Sequence, residues 1–254
     1  MPEQNAPHWH CVRQRAGPLV KECRALRPRL SVNDTPYDRT EKNKILRPPG
    51  DSSVCRSRVD RLELQLALFG FEGSVYGLTF DSAHEPKRWA DVRKAWRSFL
   101  RRLKLWKHGA VFDYAYLIEG RHGDHRYHIH LCLRDSDFSP AEVRHLWRFG
   151  ADVDDEPLLL HPKDTYRRTA KYWNKEATDG VRIPIGARTW VTSKSLRAKL
   201  PPTEIFRSDS SMIDIPNDVR CAGRYQTENE FGAYYYAWYI EHDPKAKFKY
   251  EYQS

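Results

Sequence analysis

Several features that would define a compartment or a scaffold are missing from this sequence of 254 residues. Its 5 cysteines stand at positions 11, 23, 55, 132 and 221, and no two of them form a Cys-x-x-Cys pair. An odd and scattered set of cysteines predicts neither a structural zinc module nor a disulfide framework, and it is typical of a reducing compartment. No apolar run approaches the length of a membrane span, and the N-terminus lacks the apolar core of a secretion signal. We therefore expect a cytoplasmic protein without a membrane partner.

The sequence also contains no Gly-x-x-x-x-Gly-Lys motif, which is the phosphate-binding motif of many nucleotide hydrolases. It therefore predicts no fused helicase. What the chain does have is an excess of positive charge. Lys and Arg number 43 against 34 Asp and Glu, a formal net charge of +9. A basic balance favours nucleic acid or another polyanion as partner, although a merely soluble basic protein would look the same.

The composition divides the chain into three regions. Residues 1–60 are rich in Pro, Arg, Asn and Ser with little periodicity, which predicts a basic, largely irregular N-terminal arm. Residues 61–200 carry regular strand and helix patterns and predict the folded domain. Residues 201–254 form a C-terminal extension that is Pro- and Ser-rich and then aromatic, and we expect its aromatic run to pack as a helix or strand.

Strand and helix patterns alternate within residues 61–200. Strands are predicted within 74–80, 113–119, 127–134, 151–160 and 188–191, and helices within 87–107, 139–149 and 166–177. This order predicts an α+β fold in which helices pack on a central antiparallel sheet.

The helix predicted over 87–107 has two unlike faces. Its apolar residues recur at spacings of three and four, which predicts a buried stripe. Its other face is basic, and it either contacts phosphates or is simply solvated. We name Arg93, Arg97 and Arg101 as candidate DNA-binding residues, together with Lys171 on the helix predicted over 166–177.

The most informative strand is 127–133, with the sequence YHIHLCL. Because successive side chains of a strand point to opposite faces, His128 and His130 project from the same one. Pairing of the predicted hairpin strands would bring Glu119 beside them. Two imidazoles and one carboxylate leave open positions on a divalent ion, which fits Mn²⁺ and, less well, Mg²⁺.

The His-x-His spacing is weak evidence by itself. His8-Trp9-His10 has the same spacing within the predicted irregular arm. The alternative interpretation of His128 and His130 is a hydrogen-bonded pair of core histidines, with Glu119 on the surface.

The helix predicted over 166–177 adds a candidate nucleophile. Tyr172 and Lys175 are three residues apart and therefore lie on one helical face. A phenol has a reference pKa of ~10 and is a poor nucleophile without help. A polarising metal and a nearby ammonium group would lower the barrier to its attack on a phosphate. The alternative is that Tyr172 is only a packing residue.

Taken in order, these motifs resemble those of the HUH endonucleases, and within them the rolling-circle replication initiators (Rep proteins) of plasmids, phages and small circular DNA viruses. The sequence at 76–80 (YGLTF) resembles their first motif, His128-Ile129-His130 their histidine motif, and Tyr172-Trp173-Asn174-Lys175 their tyrosine motif. The resemblance covers about residues 74–195 and leaves 1–60 and the C-terminal extension unmatched.

The resemblance implies a ferredoxin-like variant of the α+β fold, with the tyrosine on a helix that faces the histidines. It implies that Glu119, His128 and His130 bind the metal, that Tyr172 attacks single-stranded DNA at an origin hairpin, and that Lys175 positions the phosphate. The products would be a 5′-phosphotyrosine and a free 3′-OH that primes replication. The resemblance also implies host replication proteins as partners and the cytoplasm of a bacterial host cell as the location.

Other classes fit less well. A single-tyrosine transposase or a relaxase would share this chemistry, and the sequence separates them from a replication initiator only loosely. A non-catalytic basic DNA-binding protein would explain the charge and leave the histidines and Tyr172 unexplained. A cupin would need a Glu about four residues after the histidines, where residues 131–135 read LCLRD.

Overall fold

The structure is a computed structural model that describes residues 8–26, 52–119, 126–150, 152–175, 190–229, 232–244, 246 and 248, apart from the side chains of residues 52–56, 175 and 229. It forms two compact units. The first comprises Met1–Arg56 and Pro201–His242, and the second comprises Ser57–Leu200 and Asp243–Ser254. Within the described ranges, no helix is both long enough and apolar enough to cross a bilayer.

The fold is α+β, as the sequence predicts, with helices packed on antiparallel sheets. The strands are β1 (Trp9–Ala16), β2 (Leu19–Leu26), β3 (Gly73–Leu78), β4 (Ala115–Glu119), β5 (His128–Arg134), β6 (Val153–Pro157), β7 (Trp190–Thr192), β8 (Glu204–Ser208), β9 (Val219–Asn229) and β10 (Gly232–Glu241). The helices among the described residues are α1 (Ser52–Ala67), α2 (Trp89–Trp106), α3 (Pro140–Leu146), α4 (Tyr166–Lys175) and α5 (Lys194–Ala198), and a 3₁₀ turn lies at Gly70–Glu72.

The first unit is a five-stranded sheet in the order β8-β1-β2-β10-β9. Strands β1 and β2 form a hairpin whose turn begins at Gly17, where the backbone has a φ of 52° that glycine adopts without steric cost. The carboxylate of Glu22 is buried in this sheet and accepts hydrogen bonds of 2.7 Å from Arg13 Nε and from Arg24 Nε. These two guanidinium groups compensate the charge that burial would otherwise disfavour.

The prediction of a largely irregular arm over residues 1–60 is wrong for the part of it that the structure describes. Residues 9–26 form two strands, and helix α1 begins at residue 52, whereas 27–51 lie outside the described residues. The predicted C-terminal extension is not a separate element either, because it supplies β8, β9 and β10 to the same sheet. The aromatic run packs as a strand, β10, which pairs with β2, and this pairing between the two ends of the chain cannot be read from either end alone.

The second unit is a five-stranded antiparallel sheet in the order β6-β3-β5-β4-β7, with β5 at its centre. One face, which we call the core face, packs against α2 and α3 and includes Tyr76, Ile118, Ile129 and Leu131. The opposite face, which we call the site face, is covered in part by α1 and α4. Thr192 Oγ1 on this face donates to Gln65 Oε1 of α1 at 3.0 Å.

Helix α2 confirms the two-faced pattern predicted for residues 87–107. Its buried residues, spaced at three and four along the chain, are Val92, Ala95, Trp96, Phe99 and Leu103. The helix is followed by His108 and Gly109, both with positive φ, which reverses the chain after its last turn.

Candidate metal centre and nucleophile

Strand pairing brings the three predicted metal ligands together. In the β4–β5 ladder Glu119 lies directly opposite His128, and Leu117 lies opposite His130. Because residues two apart on a strand share a face, His128, His130 and Glu119 all project from the site face. The hairpin pairing that the sequence predicted is therefore present, with the predicted carboxylate at its end.

The three side chains form a compact cluster. Glu119 Oε2 lies 2.7 Å from His130 Nε2 and also contacts His128 Nε2, and the two imidazole rings are 5.0 Å apart between centroids. The candidate ligand atoms of all three residues lie within 4.8 Å of one another. The side chains are 17–27% exposed, so a small ion or a phosphate can reach them. Two nitrogen donors and one carboxylate oxygen in this arrangement are compatible with a divalent metal.

The hydrogen bonding of His128 supports the same role. Its Nδ1 lies 3.1 Å from the backbone carbonyl oxygen of Arg126. A carbonyl can only accept, so Nδ1 donates to it, and Nε2 is the ring nitrogen that faces Glu119 and is in position to bind a ligand. Orientation of a metal-binding histidine by a carbonyl behind the ring is a common arrangement. The donor atoms present therefore fit a divalent ion, and the part of the alternative interpretation that separates Glu119 from the histidines is wrong, since its carboxylate contacts both rings.

Burial raises the pKa values of two other reactive side chains in this sheet. Cys132 lies two residues after His130 on β5 and is fully buried, and this burial raises the pKa of its thiol well above the ordinary value. Tyr76, in the predicted first motif, is buried on the core face, and its burial likewise raises the pKa of its phenol. Both groups stay protonated at neutral pH, so neither competes as metal ligand or nucleophile.

Tyr172 reaches the cluster from helix α4. The buried apolar residues of this helix are Tyr166, Ala170 and Trp173, at spacings of four and three, with Thr169 and Asn174 buried beside them, and Tyr172 falls outside that stripe. Its side chain is 49% exposed, and its ring lies 5.6 Å from the ring of His130, perpendicular to it. The structure thus places the predicted nucleophile beside the predicted metal ligands, while Tyr166 is the packing residue.

Contacts that the sequence did not reveal hold α4 in this position. Arg167 Nη1 donates to Asp60 Oδ1 at 2.6 Å and to Glu63 Oε2 at 2.8 Å, both on α1. At the other end of the helix, the amide of Asn174 accepts from Trp190 Nε1 at 3.2 Å and donates to the carbonyl of Ala170 at 2.8 Å. Asn174 is buried, and Trp190 begins strand β7, so this bridge ties the last turn of α4 to the sheet edge.

A glycine stands beside the cluster on the neighbouring strand β3. Gly77 of β3 pairs with His130 on one side and with Asp154 of β6 on the other. A Cβ added at Gly77 would lie 3.6 Å from Asp154 Cβ, which is ordinary van der Waals contact, so a small side chain would fit here beside His130. A glycine within a strand often marks a close approach by a ligand or another backbone, and this signal is readable from the sequence.

The predicted DNA-binding residues lie on two different sides of the sheet. Lys171 is exposed on α4, next to Tyr172 and on the side of the site face. Arg93, Arg97 and Arg101 are exposed on α2, which packs on the core face. The backbone of Lys175 belongs to α4, but its side chain lies outside the described residues.

Comparison with known proteins gives no further identification. The chain has no significant match to a protein family, to a curated protein or to a solved structure.

Proposed function

We propose that this chain is a metal-dependent endonuclease that nicks single-stranded DNA through a covalent tyrosyl intermediate. The observation that supports it most directly is the position of Tyr172, whose ring lies 5.6 Å from the ring of His130 in the Glu119–His128–His130 cluster. A half-exposed phenol beside a group of metal-binding side chains is an arrangement suited to phosphoryl transfer.

The chemistry assigned to the chain's own residues is a transesterification. A divalent ion such as Mn²⁺ or Mg²⁺ bound by Glu119, His128 and His130 would polarise the scissile phosphate. Tyr172 Oη attacks the phosphorus and loses its proton, the Oη–P bond forms and the P–O3′ bond breaks. The departing 3′ oxygen gains a proton, leaving a 3′-OH on one fragment and a 5′-phosphotyrosine on the other. Attack by a 3′-OH on that linkage reverses the reaction and rejoins a strand.

Positioning of the phosphate is assigned to cations on α4. Lys171 is exposed beside Tyr172, and Lys175 is one helical turn beyond it in sequence. A cation next to the phosphate stabilises the charge that develops during attack.

The biological role that we propose is initiation of rolling-circle replication at an origin hairpin, in the cytoplasm of a bacterial host and together with its replication proteins. The motifs at 76–80, 128–130 and 172–175, in that order, support this role by their resemblance to the replication initiators among the HUH endonucleases. A single-tyrosine transposase or a relaxase would use the same side chains, and the DNA that is cut distinguishes them.

A covalent adduct tests the proposal directly. A single-stranded hairpin oligonucleotide is incubated with the protein and Mn²⁺, and the products are separated on a denaturing gel. With a 3′ label the shifted protein adduct carries the label, and with a 5′ label a shortened free fragment appears, because the phosphate remains on the downstream piece.

The variants then assign the nucleophile. Tyr172→Phe is expected to abolish the adduct, whereas Tyr166→Phe, in the same helix but on its buried stripe, is expected to retain it. An adduct that persists in Tyr172→Phe would contradict the assignment. Tight DNA binding without any adduct in the unmodified chain would favour a non-catalytic DNA-binding protein.

A further inference from the structure

The exposed surface of α2 is a continuous stripe of positive charge. Five exposed cations lie on it, at Arg93, Lys94, Arg97, Arg101 and Lys104. With a rise of 1.5 Å per residue the stripe is about 16 Å long. We call this set the α2 stripe.

The charge of the α2 stripe is not compensated by nearby acids. Among the residues that the structure describes, no carboxylate forms an ion pair with any of these five side chains, and Asp91, the acid in the first turn of the helix, pairs with Arg88 at 3.4 Å. Behind the stripe, Arg102 donates to the carbonyl of Leu146 at 2.8 Å and is partly buried. Burial, together with the positive charges of Arg148 and Arg101, lowers the pKa of Arg102, which is the response expected in a region of excess positive charge.

The sheet separates the α2 stripe from the candidate metal centre. Helix α2 packs on the core face through residues that include Trp96 and Phe99, whereas Glu119, His128 and His130 project from the site face. A phosphate bound at Tyr172 is therefore on the far side of the sheet from the stripe. The α2 stripe therefore does not line the cleavage site. A DNA segment that contacts the stripe must be different from the segment that is cut.

The chemistry of the stripe favours a duplex over a single strand. Proteins that bind single strands combine cations with exposed aromatic rings on which the bases stack. The aromatic side chains in the middle of α2, Trp96 and Phe99, are buried, and the exposed face between Arg93 and Lys104 offers cations. Trp106 at the end of the helix is 44% exposed, but its Nε1 donates to Glu142 Oε1 at 2.7 Å and its ring packs against that of His145. A duplex keeps its bases inside and presents one phosphate charge per ≈ 1.7 Å of axis, so about nine phosphates accompany a stripe of this length.

We propose that the α2 stripe is a second DNA-binding surface, which holds the backbone of duplex DNA while the opposite face of the sheet binds and cuts a single strand. The cutting part of this proposal rests on the proposed function, whereas duplex binding by the α2 stripe does not. The duplex arm of an origin hairpin, or the duplex flanking it, would be the natural ligand.

The test separates the two surfaces with a matched pair of double variants. Arg97→Ala/Arg101→Ala removes two charges from the stripe, and Lys194→Ala/Arg207→Ala removes two exposed charges elsewhere. Binding of a 20-base-pair duplex is measured in EDTA over a range of salt concentrations, with both sets also carrying Tyr172→Phe so that no adduct forms. Adduct formation on a short unstructured single strand is measured separately with Mn²⁺ and Tyr172 intact.

The expected result is a selective loss. For Arg97→Ala/Arg101→Ala, duplex affinity falls at least about tenfold, and the slope of log affinity against log salt falls by about two, since each phosphate contact contributes about 0.9. The rate of adduct formation on the single strand stays within about twofold of the unmodified chain. Unchanged duplex affinity, an equal loss in the control pair, or a parallel loss of adduct formation would each overturn the proposal. If the unmodified chain forms no adduct and the selective duplex loss is still seen, the cutting function fails while this inference stands.

Discussion

The chain contains the His-x-His pattern twice, in two different structural surroundings. His8 and His10 stand at the start of the first unit's sheet, and His128 and His130 stand in the central strand of the second unit's sheet. Among the described residues, the group that could hold a metal is the second pair with Glu119. The spacing of two residues is common to both pairs, so it is not what makes a metal centre.

The difference lies in the residue across the strand. Opposite His10 are Ala25 on one side and Arg207 on the other, whereas Glu119 is opposite His128. His8 has a carboxylate near it, with its Nδ1 2.7 Å from Asp209 Oδ1, but His10 does not share that partner. A carboxylate in register with the pair converts a common spacing into three converging donors, and a cation in that position disfavours a bound metal.

The largest expected effect comes from removing one histidine of each pair. His130→Ala is expected to lower the rate of adduct formation at least about 100-fold, because polarisation of the phosphate by a metal contributes several kcal/mol. His10→Ala is the matched control, with an expected rate unchanged within error. Single-turnover assays with Mn²⁺ measure both, and equal losses in the two variants would show that the structural distinction between the pairs is irrelevant.

Glu119→Gln tests the carboxylate itself and makes the second pair more like the first. The amide keeps the size of the side chain and removes its charge, so the affinity for Mn²⁺ is expected to fall at least about tenfold, since even the loss of an outer partner costs 10- to 100-fold. Titration calorimetry on the DNA-free protein measures this. Unaltered Mn²⁺ affinity would remove Glu119 from the ligand set.

The sequence could predict this centre because its parts are local. A hairpin predicted from alternation placed Glu119 beside His128, and the stripe of Tyr166, Ala170 and Trp173 leaves Tyr172 outside the buried face of its helix. Which face of the sheet each helix covers depends on packing between distant segments. The sequence therefore grouped Arg93 with Lys171, although the structure places them on opposite sides.

The first unit shows the opposite case. Strand β2 pairs with β10, so a strand that ends at residue 26 has as its neighbour one that begins at residue 232. In β2, buried groups such as Glu22 and Arg24 interrupt the expected alternation, whereas the aromatic run of β10 indicates a helix or strand without indicating its partner. Residues 1–60 lack a strand pattern when that segment is considered alone. Its strands β1 and β2 become evident only through their pairing with β8 and β10 from the other end of the chain.

A second difference between the two pairs is the residue across the strand from His130 on β3, which is Gly77 and has no side chain. Gly77→Val is expected to add a branched side chain next to His130 and to slow adduct formation about tenfold, because displacement of a bound substrate by about 1 Å can cost up to 100-fold. The affinity for Mn²⁺ should be unchanged, which separates lost access from a lost metal. Gly77→Ala is the graded control, with a smaller loss, and a normal rate in Gly77→Val would show that DNA does not pass over this strand.

A smaller effect is expected from removing the Trp190–Asn174 hydrogen bond, which positions the helix that carries Tyr172. Among the described residues, the first histidine pair has no such helix-bound tyrosine beside it. Trp190→Phe keeps an aromatic ring and removes the hydrogen bond to Asn174, which lowers the free energy of unfolding by about 1 kcal/mol. Because the last turn of α4 becomes less well fixed, kcat for adduct formation should fall about threefold while KM for the oligonucleotide is unchanged. A change in KM alone would assign Trp190 to DNA binding instead.

The smallest effect is expected from giving the first pair the group that it lacks. Arg207→Glu places a carboxylate directly across the strand from His10 and removes the cation that stands there. In a His128→Ala/His130→Ala background, this variant should gain weak Mn²⁺ binding. The expected dissociation constant is in the millimolar range, which corresponds to a binding free energy of about −4 kcal/mol. It should form no adduct, since this background lacks the histidine pair that lies beside Tyr172. No gain in Mn²⁺ binding would mean that register with a carboxylate is insufficient, and that the orientation of His128 by the Arg126 carbonyl is equally necessary for metal binding.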